Sequence, residues 1–216
     1  MAGGLKEVRE RIGSVQNTMQ ITSAMKMVSA AKLRRAQNAI TQMRPYAEKI
    51  QAILANVSAS LDSSEGVFSN KREVKTALVI AITSNRGLCG GFNNNSIKLA
   101  QAAISKYRSE GANVVVLPLG KKAHESFARG GSDFAEGFGD SSLTVFDNLN
   151  FDNVSEIAQT AMDGFVSKKW DAVEITYSQF KNAAVQIPTQ EAYLPLLPLA
   201  TPENNKTVEI DYIFEP

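Results

Sequence analysis

The sequence predicts an α/β protein in two parts. A long N-terminal coiled-coil helix is expected over residues 1–62, and an α/β domain with a mostly parallel sheet over 76–216, joined by a linker at 63–75. Three observations predict it. Residues 3–62 hold a single proline and no glycine after Gly13, and apolar residues recur in them with a heptad spacing. Beyond residue 75, short branched-apolar runs alternate with helix-like segments, the pattern of strands joined by crossover helices. The charge is divided the same way. Residues 1–60 carry nine Lys/Arg against three acids, a net of +6, whereas the remainder carries −5, so the overall +1 conceals two parts of opposite sign.

Within the helix, steps of three and four residues from Leu5 meet Val8, Ile12, Val15 and Met19, then continue from Leu33 through Ile40, Met43, Ile50 and Leu54 to Leu61. A 3.5-residue period held over this length specifies a left-handed supercoil with a partner helix. No second helix of comparable length follows in these 216 residues, so the seam is expected to need another chain, a second copy or further sequence. Pro45 is expected to kink the helix near Thr41 or restart it there. Thr22, Lys26 and Ser29 interrupt the seam, and apolar residues move one position round, to Ile21, Met25 and Val28. The cluster Met25, Lys26, Lys32, Arg34 and Arg35 has two readings. One is a stutter with a solvated basic face; the other is a contact site for an acidic partner, with methionine supplying an adaptable surface.

In the second part, Thr76–Thr83 reads as a buried strand. A glycine-rich loop, SNRGLCGGFNNN, leads to a helix expected from about Ser96 to Glu110. Asn113–Leu119 is a second buried strand, Lys121–Ala128 a short helix, and RGGSDFAEGFGDSS a loop. A helix is expected from Val154 to Lys168 and a third strand at Ala172–Ser178, with later strands at Val185–Pro188 and Thr207–Phe214. This order predicts a doubly wound, Rossmann-like sheet covered by helices.

The search for chemistry excludes more than it finds. The loop Arg86-Gly87-Leu88-Cys89-Gly90-Gly91 lies where a phosphate cradle is placed, but it matches neither dinucleotide nor P-loop spacing and lacks the P-loop lysine. A tight turn allowing close packing is the plainer use of its glycines. His124 is the only histidine and reads as a surface residue of a short helix; Cys89, the only cysteine, reads as a small packing residue rather than a nucleophile. No spacing suggests a metal site, so no catalytic residue, cofactor or metal is expected. Heptads flank the basic cluster on both sides, unlike a basic zipper, and no nucleic-acid partner is expected. No stretch reaches the ~20 apolar residues of a membrane span. The opening MAGGLKEVRERIG reads as neither a secretion signal nor a transit peptide.

Four blocks carry a resemblance: IGSVQNTMQITSAMKMVSAAKLRRAQ, RPYAEKI, SNRGLCGGFN and the closing YIFEP. In this order, from Leu5 to Pro216, the chain resembles the γ subunit of bacterial-type F1 ATP synthases. The resemblance implies a non-catalytic central-stalk rotor. Its long helix would lie in the bore of the α3β3 hexamer and its α/β body would stand on the c-ring beside ε, on the cytoplasmic face of the bacterial inner membrane as a peripheral protein. Proton flow would turn the ring and shaft and drive ATP synthesis at the β subunits. In that frame Met25, Lys26, Lys32, Arg34 and Arg35 would face an acidic loop of β, and Arg86 to Gly91 would form a second contact. The family pairs its N-terminal helix with an antiparallel C-terminal one, and these 216 residues stop where the run into that helix begins. The alternative reading is an α/β nucleotide-sensing domain or enzyme with a coiled-coil oligomerisation arm.

Overall fold

A computed structural model describes residues 2–60, 66–139 and 141–196. The chain divides into two compact units, Met1–Leu54 and Ala55–Pro216. The expected strand at Thr207–Phe214 lies outside the described residues.

The first unit belongs to one helix, α1 (Ala2–Ser60), of 59 residues. At 1.5 Å per residue it is about 90 Å long. Helix-forming Ala, Gln, Lys, Arg and Met dominate it, and it continues through Pro45 without restarting. Thr18, Thr22 and Thr41 turn their hydroxyls back onto the carbonyls of Ser14, Thr18 and Gln37 at 2.8–2.9 Å. Thr22 thereby satisfies its hydroxyl within the helix and leaves a small, weakly projecting side chain at the interruption of the seam. Leu5, Val8, Ile12, Val15, Met19 and Leu33 are all exposed.

The second unit is built on a four-stranded sheet in the order β2-β1-β3-β4. The strands are β1 (Thr76–Ile82), β2 (Asn113–Leu119), β3 (Ala172–Phe180) and β4 (Gln186–Leu194). β1 runs parallel to both β2 and β3, whereas β4 returns antiparallel to β3. Alternation along β1 sends residues to opposite faces. Val79 and Ala81 pack with Ile97, Ala100 and Ile104 of α2 (Phe92–Ser109) and with Ala123 and Phe127 of α3 (Lys121–Arg129). Leu78 and Ile80 pack on the other face with Phe138, Val145 near the short α4 (Ser141–Thr144), and Ile157, Ala161 and Phe165 of α5 (Phe151–Val166). Helices thus cover both faces, and the mostly parallel, doubly wound α/β expectation holds.

Several boundaries differ from the sequence reading. α2 begins at Phe92, four residues before the expected start, because the Asn93–Asn95 run is its first turn rather than loop. α5 begins at Phe151 because the Asn150 side chain caps it, accepting from the Asn153 N–H at 2.8 Å. β4 reaches nine residues instead of four; as an edge strand with mostly exposed side chains it lacks the apolar run that marks a buried strand, and it admits Pro188. The helix α4 begins on the last two residues of the stretch read as loop and runs two residues past it.

The entrance to β1 is fastened by one ion pair. Arg72 Nε donates to Asp171 Oδ1 at 2.6 Å, and its Nη2 donates to the carbonyls of Phe165 and Trp170 at 2.7 and 2.6 Å. Asp171 Oδ2 accepts from the N–H groups of Lys75 and Thr76. Burial pushes the Asp171 carboxyl up, but the Thr76 and Lys75 N–H groups and Arg72 outweigh it, so the pKa lies below the usual carboxylate value. Trp170 is buried next to this lock, with its indole N–H donated to the Ala161 carbonyl at 2.8 Å. A Cβ at Gly164 would lie 2.0 Å from Trp170 Cζ2, so only glycine permits this approach.

Candidate partner-binding surfaces

Two surfaces hold the residues singled out by sequence. On α1, 100° per residue decides which side chains share a face. Ile21, Met25, Val28, Lys32 and Arg35 follow steps of four, three, four and three and form one stripe, lying about 100° round the helix from the heptad seam. Ile21, Met25 and Val28 are about 60% exposed, so the stripe combines bare apolar side chains with two exposed cations at its C-terminal end. Lys26 does not share it: it stands on the seam itself, and Arg34 is turned further round the helix. The helix therefore separates the five expected residues into Met25, Lys32 and Arg35 on one stripe, with Lys26 and Arg34 on other sides.

The second surface is the loop after β1, beside the place where the chain order of the sheet reverses, between β1 and β3. Arg86, Gly87, Leu88, Cys89, Gly90 and Gly91 are all exposed. The buried Asn93 at the start of α2 braces the loop. Its Oδ1 accepts from the Ser84 N–H and hydroxyl at 2.9 and 3.0 Å, and its Nδ2 donates to the Arg86 carbonyl at 3.1 Å and to Cys89 Sγ at 3.2 Å. The Ser84 hydroxyl also donates to the Arg86 carbonyl, at 2.7 Å. Leu88 and Gly90 both take left-handed backbone, with φ of 59° and 58°. A shallow cavity of about 290 Å³ adjoins the loop, with Ile97, Lys122, Ser126 and Arg129 on its far wall. Sequence reasoning missed Asn93 as the brace. Its signal was the first polar residue after GGF, which was read as loop.

Elsewhere the titratable groups are explained by packing. His124 is half-buried with its ring centroid 5.0 Å from that of Phe134. Burial, and then the Glu174 carboxylate, push the Tyr107 phenol up to about 12. Glu174 Oε1 accepts from Gln190 Nε2, while Oε2 has no partner. Among the described residues no group of three His, Cys, Asp or Glu is arranged for a metal, and no helix is long and apolar enough to cross a membrane.

The family model described as ATP synthase matches residues 4–216. The chain belongs to the ATP synthase γ-chain family. It is 52% identical over 213 residues to the ATP synthase gamma chain of Flavobacterium psychrophilum, covering 98% of this chain and 71% of that one. With the gamma chain of Flavobacterium johnsoniae the identity is 48%, with the same coverage. Among solved structures, it is similar to a chain of the central stalk and c-ring of the Tetrahymena thermophila mitochondrial ATP synthase. That likeness has 28% identity and a TM-score of 0.58, and covers 81% of this chain and 72% of the other. A γ chain is a non-catalytic subunit of a membrane-associated enzyme.

Proposed function

We propose that this chain is the central-stalk rotor subunit of an F-type ATP synthase, coupling proton flow through a c-ring to ATP synthesis in an α3β3 hexamer. The observation that carries the reading is the match of 98% of this chain to a gamma chain at 52% identity, joined to the structural likeness to a chain of a central stalk and c-ring. Residues 1–62 form the shaft within the hexamer, 63–75 the connection, and 76–216 the foot that meets ε and the c-ring. The complex places it on the cytoplasmic face of a bacterial inner membrane.

The geometry supports specific contacts. The stripe of Met25, Lys32 and Arg35 meets acidic loops of the β subunits, and Lys26 and Arg34 meet neighbouring surfaces as the shaft turns. Ion pairs near water contribute only ~0–1 kcal/mol each, so such contacts guide the shaft without locking it. The loop Arg86–Gly91 forms a second contact with the hexamer. Reconstitution tests the reading: the chain is expected to co-purify with α3β3 and ε and to restore ATP-driven proton pumping to membranes stripped of their own γ. Absence of assembly refutes it.

A further inference from the structure

Residues 66–75 form no helix or strand, yet they are fastened along the α/β unit. Gly66–Ser69 make a turn, closed by the Ser69 N–H on the Gly66 carbonyl at 3.0 Å. Beyond it the side chains alternate: Arg72 and Val74 are half-buried, whereas Lys71, Glu73 and Lys75 are exposed. A polar connection of this kind ordinarily runs loose over the surface. Here both of its ends are tied to parts of the body remote in sequence. At the first, Phe68 packs against the core under Leu78 and Ile80, and its carbonyl accepts from the Leu196 N–H at 2.8 Å. The chain entering the body is thus bonded to the chain leaving β4. At the second, the Lys75 carbonyl accepts from the Asn113 N–H at 2.8 Å and the Thr76 carbonyl from the Asp171 N–H at 2.7 Å.

Arg72 holds the middle. Its guanidinium lies 4.4 Å over the Phe165 ring and forks to the Asp171 carboxylate and to the Phe165 and Trp170 carbonyls. The Arg72 side chain is 21% exposed and that of Asp171 12%, so the pair is largely withdrawn from water, where a charge-assisted fork keeps its geometry. Asp171 already satisfies the Lys75 and Thr76 N–H groups by itself, so β1 can start without Arg72. What the arginine adds is a hold on a strap that has no ladder of its own. In a rotor these residues stand in the chain between shaft and foot. Each residue has two soft dihedrals, so a free connection there would take up a turn by twisting. We propose that Arg72 is a positioning residue of rotary coupling, pinning the strap of residues 66–75 to the foot through Asp171 and the Phe165 and Trp170 carbonyls, so that a turn of the foot reaches the shaft without slack. This rests on the rotor reading and adds to it the residue that stiffens the join.

The test uses the full chain assembled with α3β3 and ε. The hexamer is held on a surface, a rod is attached through biotinylated ε, and the angular fluctuation of the rod is recorded while rotation is stalled. The same complexes, rejoined to stripped membranes, are assayed for ATP hydrolysis and ATP-driven proton pumping. Arg72→Gln is expected to widen the angular variance about twofold or more. Protons pumped per ATP are expected to fall while hydrolysis stays within about twofold of the parent. Arg72→Lys is expected to lie between the two, because it restores the charge without the planar fork. Unchanged variance and pumping in Arg72→Gln overturn the positioning role and leave the rotor reading intact. Equal losses of hydrolysis and pumping without added variance mark a purely structural residue and overturn it too. Should Arg72→Gln not assemble, Arg72→Lys decides: added variance supports the role, and stiffness equal to the parent overturns it. Hydrogen exchange on the parent chain is an independent check, with the Lys75, Thr76 and Leu196 amides expected to be protected about tenfold or more over a free chain; unprotected amides overturn the strap. Failure of the parent to assemble with α3β3 and ε refutes the rotor reading and the role of Arg72 with it.

Discussion

The two units of this chain solve the problem of apolar surface in opposite ways. The α/β unit buries its own: β1 is covered on both faces, Trp170 is packed against Gly164, and Arg72 and Asp171 fasten the strand entrance across 99 residues of sequence. The α1 unit leaves its apolar residues out, with Leu5, Ile12, Met19 and Met25 all more than half exposed. A helix of this length with a long apolar seam takes most of its stability from what packs against it. Substitutions in the body should therefore be felt in the isolated chain, and substitutions on α1 only in the assembled machine.

The sharpest break of that contrast is at Gly164. Gly164→Ala places a Cβ inside the Trp170 ring, and the body is expected to lose about 3 kcal/mol, read as a lower urea midpoint by tryptophan fluorescence. Next comes the strand lock. Asp171→Asn removes the charge that accepts from Arg72, Lys75 and Thr76 and is expected to cost about 2 kcal/mol. Because the folded carboxyl is depressed, its contribution is fully present above the unfolded value of about 4 and disappears as pH falls through the folded one. The parent should therefore lose stability on acidification with a slope that Asp171→Asn flattens. Comparing urea midpoints between pH 3 and 7 measures this, and parallel curves refute it. Smallest in the isolated chain is the α1 stripe. Lys32→Glu with Arg35→Glu is expected to shift stability by no more than about 0.5 kcal/mol. In reconstituted membranes the same pair should lower ATP-driven pumping more than Lys26→Glu with Arg34→Glu does. Equal losses from the two pairs would dissolve the distinction between stripe and seam.

How much was legible in the sequence follows from the range of the forces involved. The buried strands announced themselves, since Thr76–Ile82 and Asn113–Leu119 are unbroken branched-apolar runs. The long helix was equally plain, and Pro45 was expected to disturb a rod that continues through it. Local composition misled where a residue's tertiary partner decides its state. Asn93 reads as loop by propensity but is buried as the brace of a turn, and β4 takes its conformation from β3 rather than from its own pattern. The Arg72–Asp171 lock has no local signal at all. At the candidate surfaces, sequence supplied the right segments and residue types, but it treated the basic cluster of α1 as one face. Helical periodicity separates Met25, Lys32 and Arg35 from Lys26 and Arg34.

Pro45 has a mechanical consequence. Lacking an N–H, it cannot donate to the Thr41 carbonyl, so α1 is one rung short some three-quarters of the way along. Under a bending or twisting load, a rod yields first where its rungs are fewest. A shaft built on α1 thus has a built-in compliant point, and strain delivered in discrete steps at one end can be smoothed before it reaches the other.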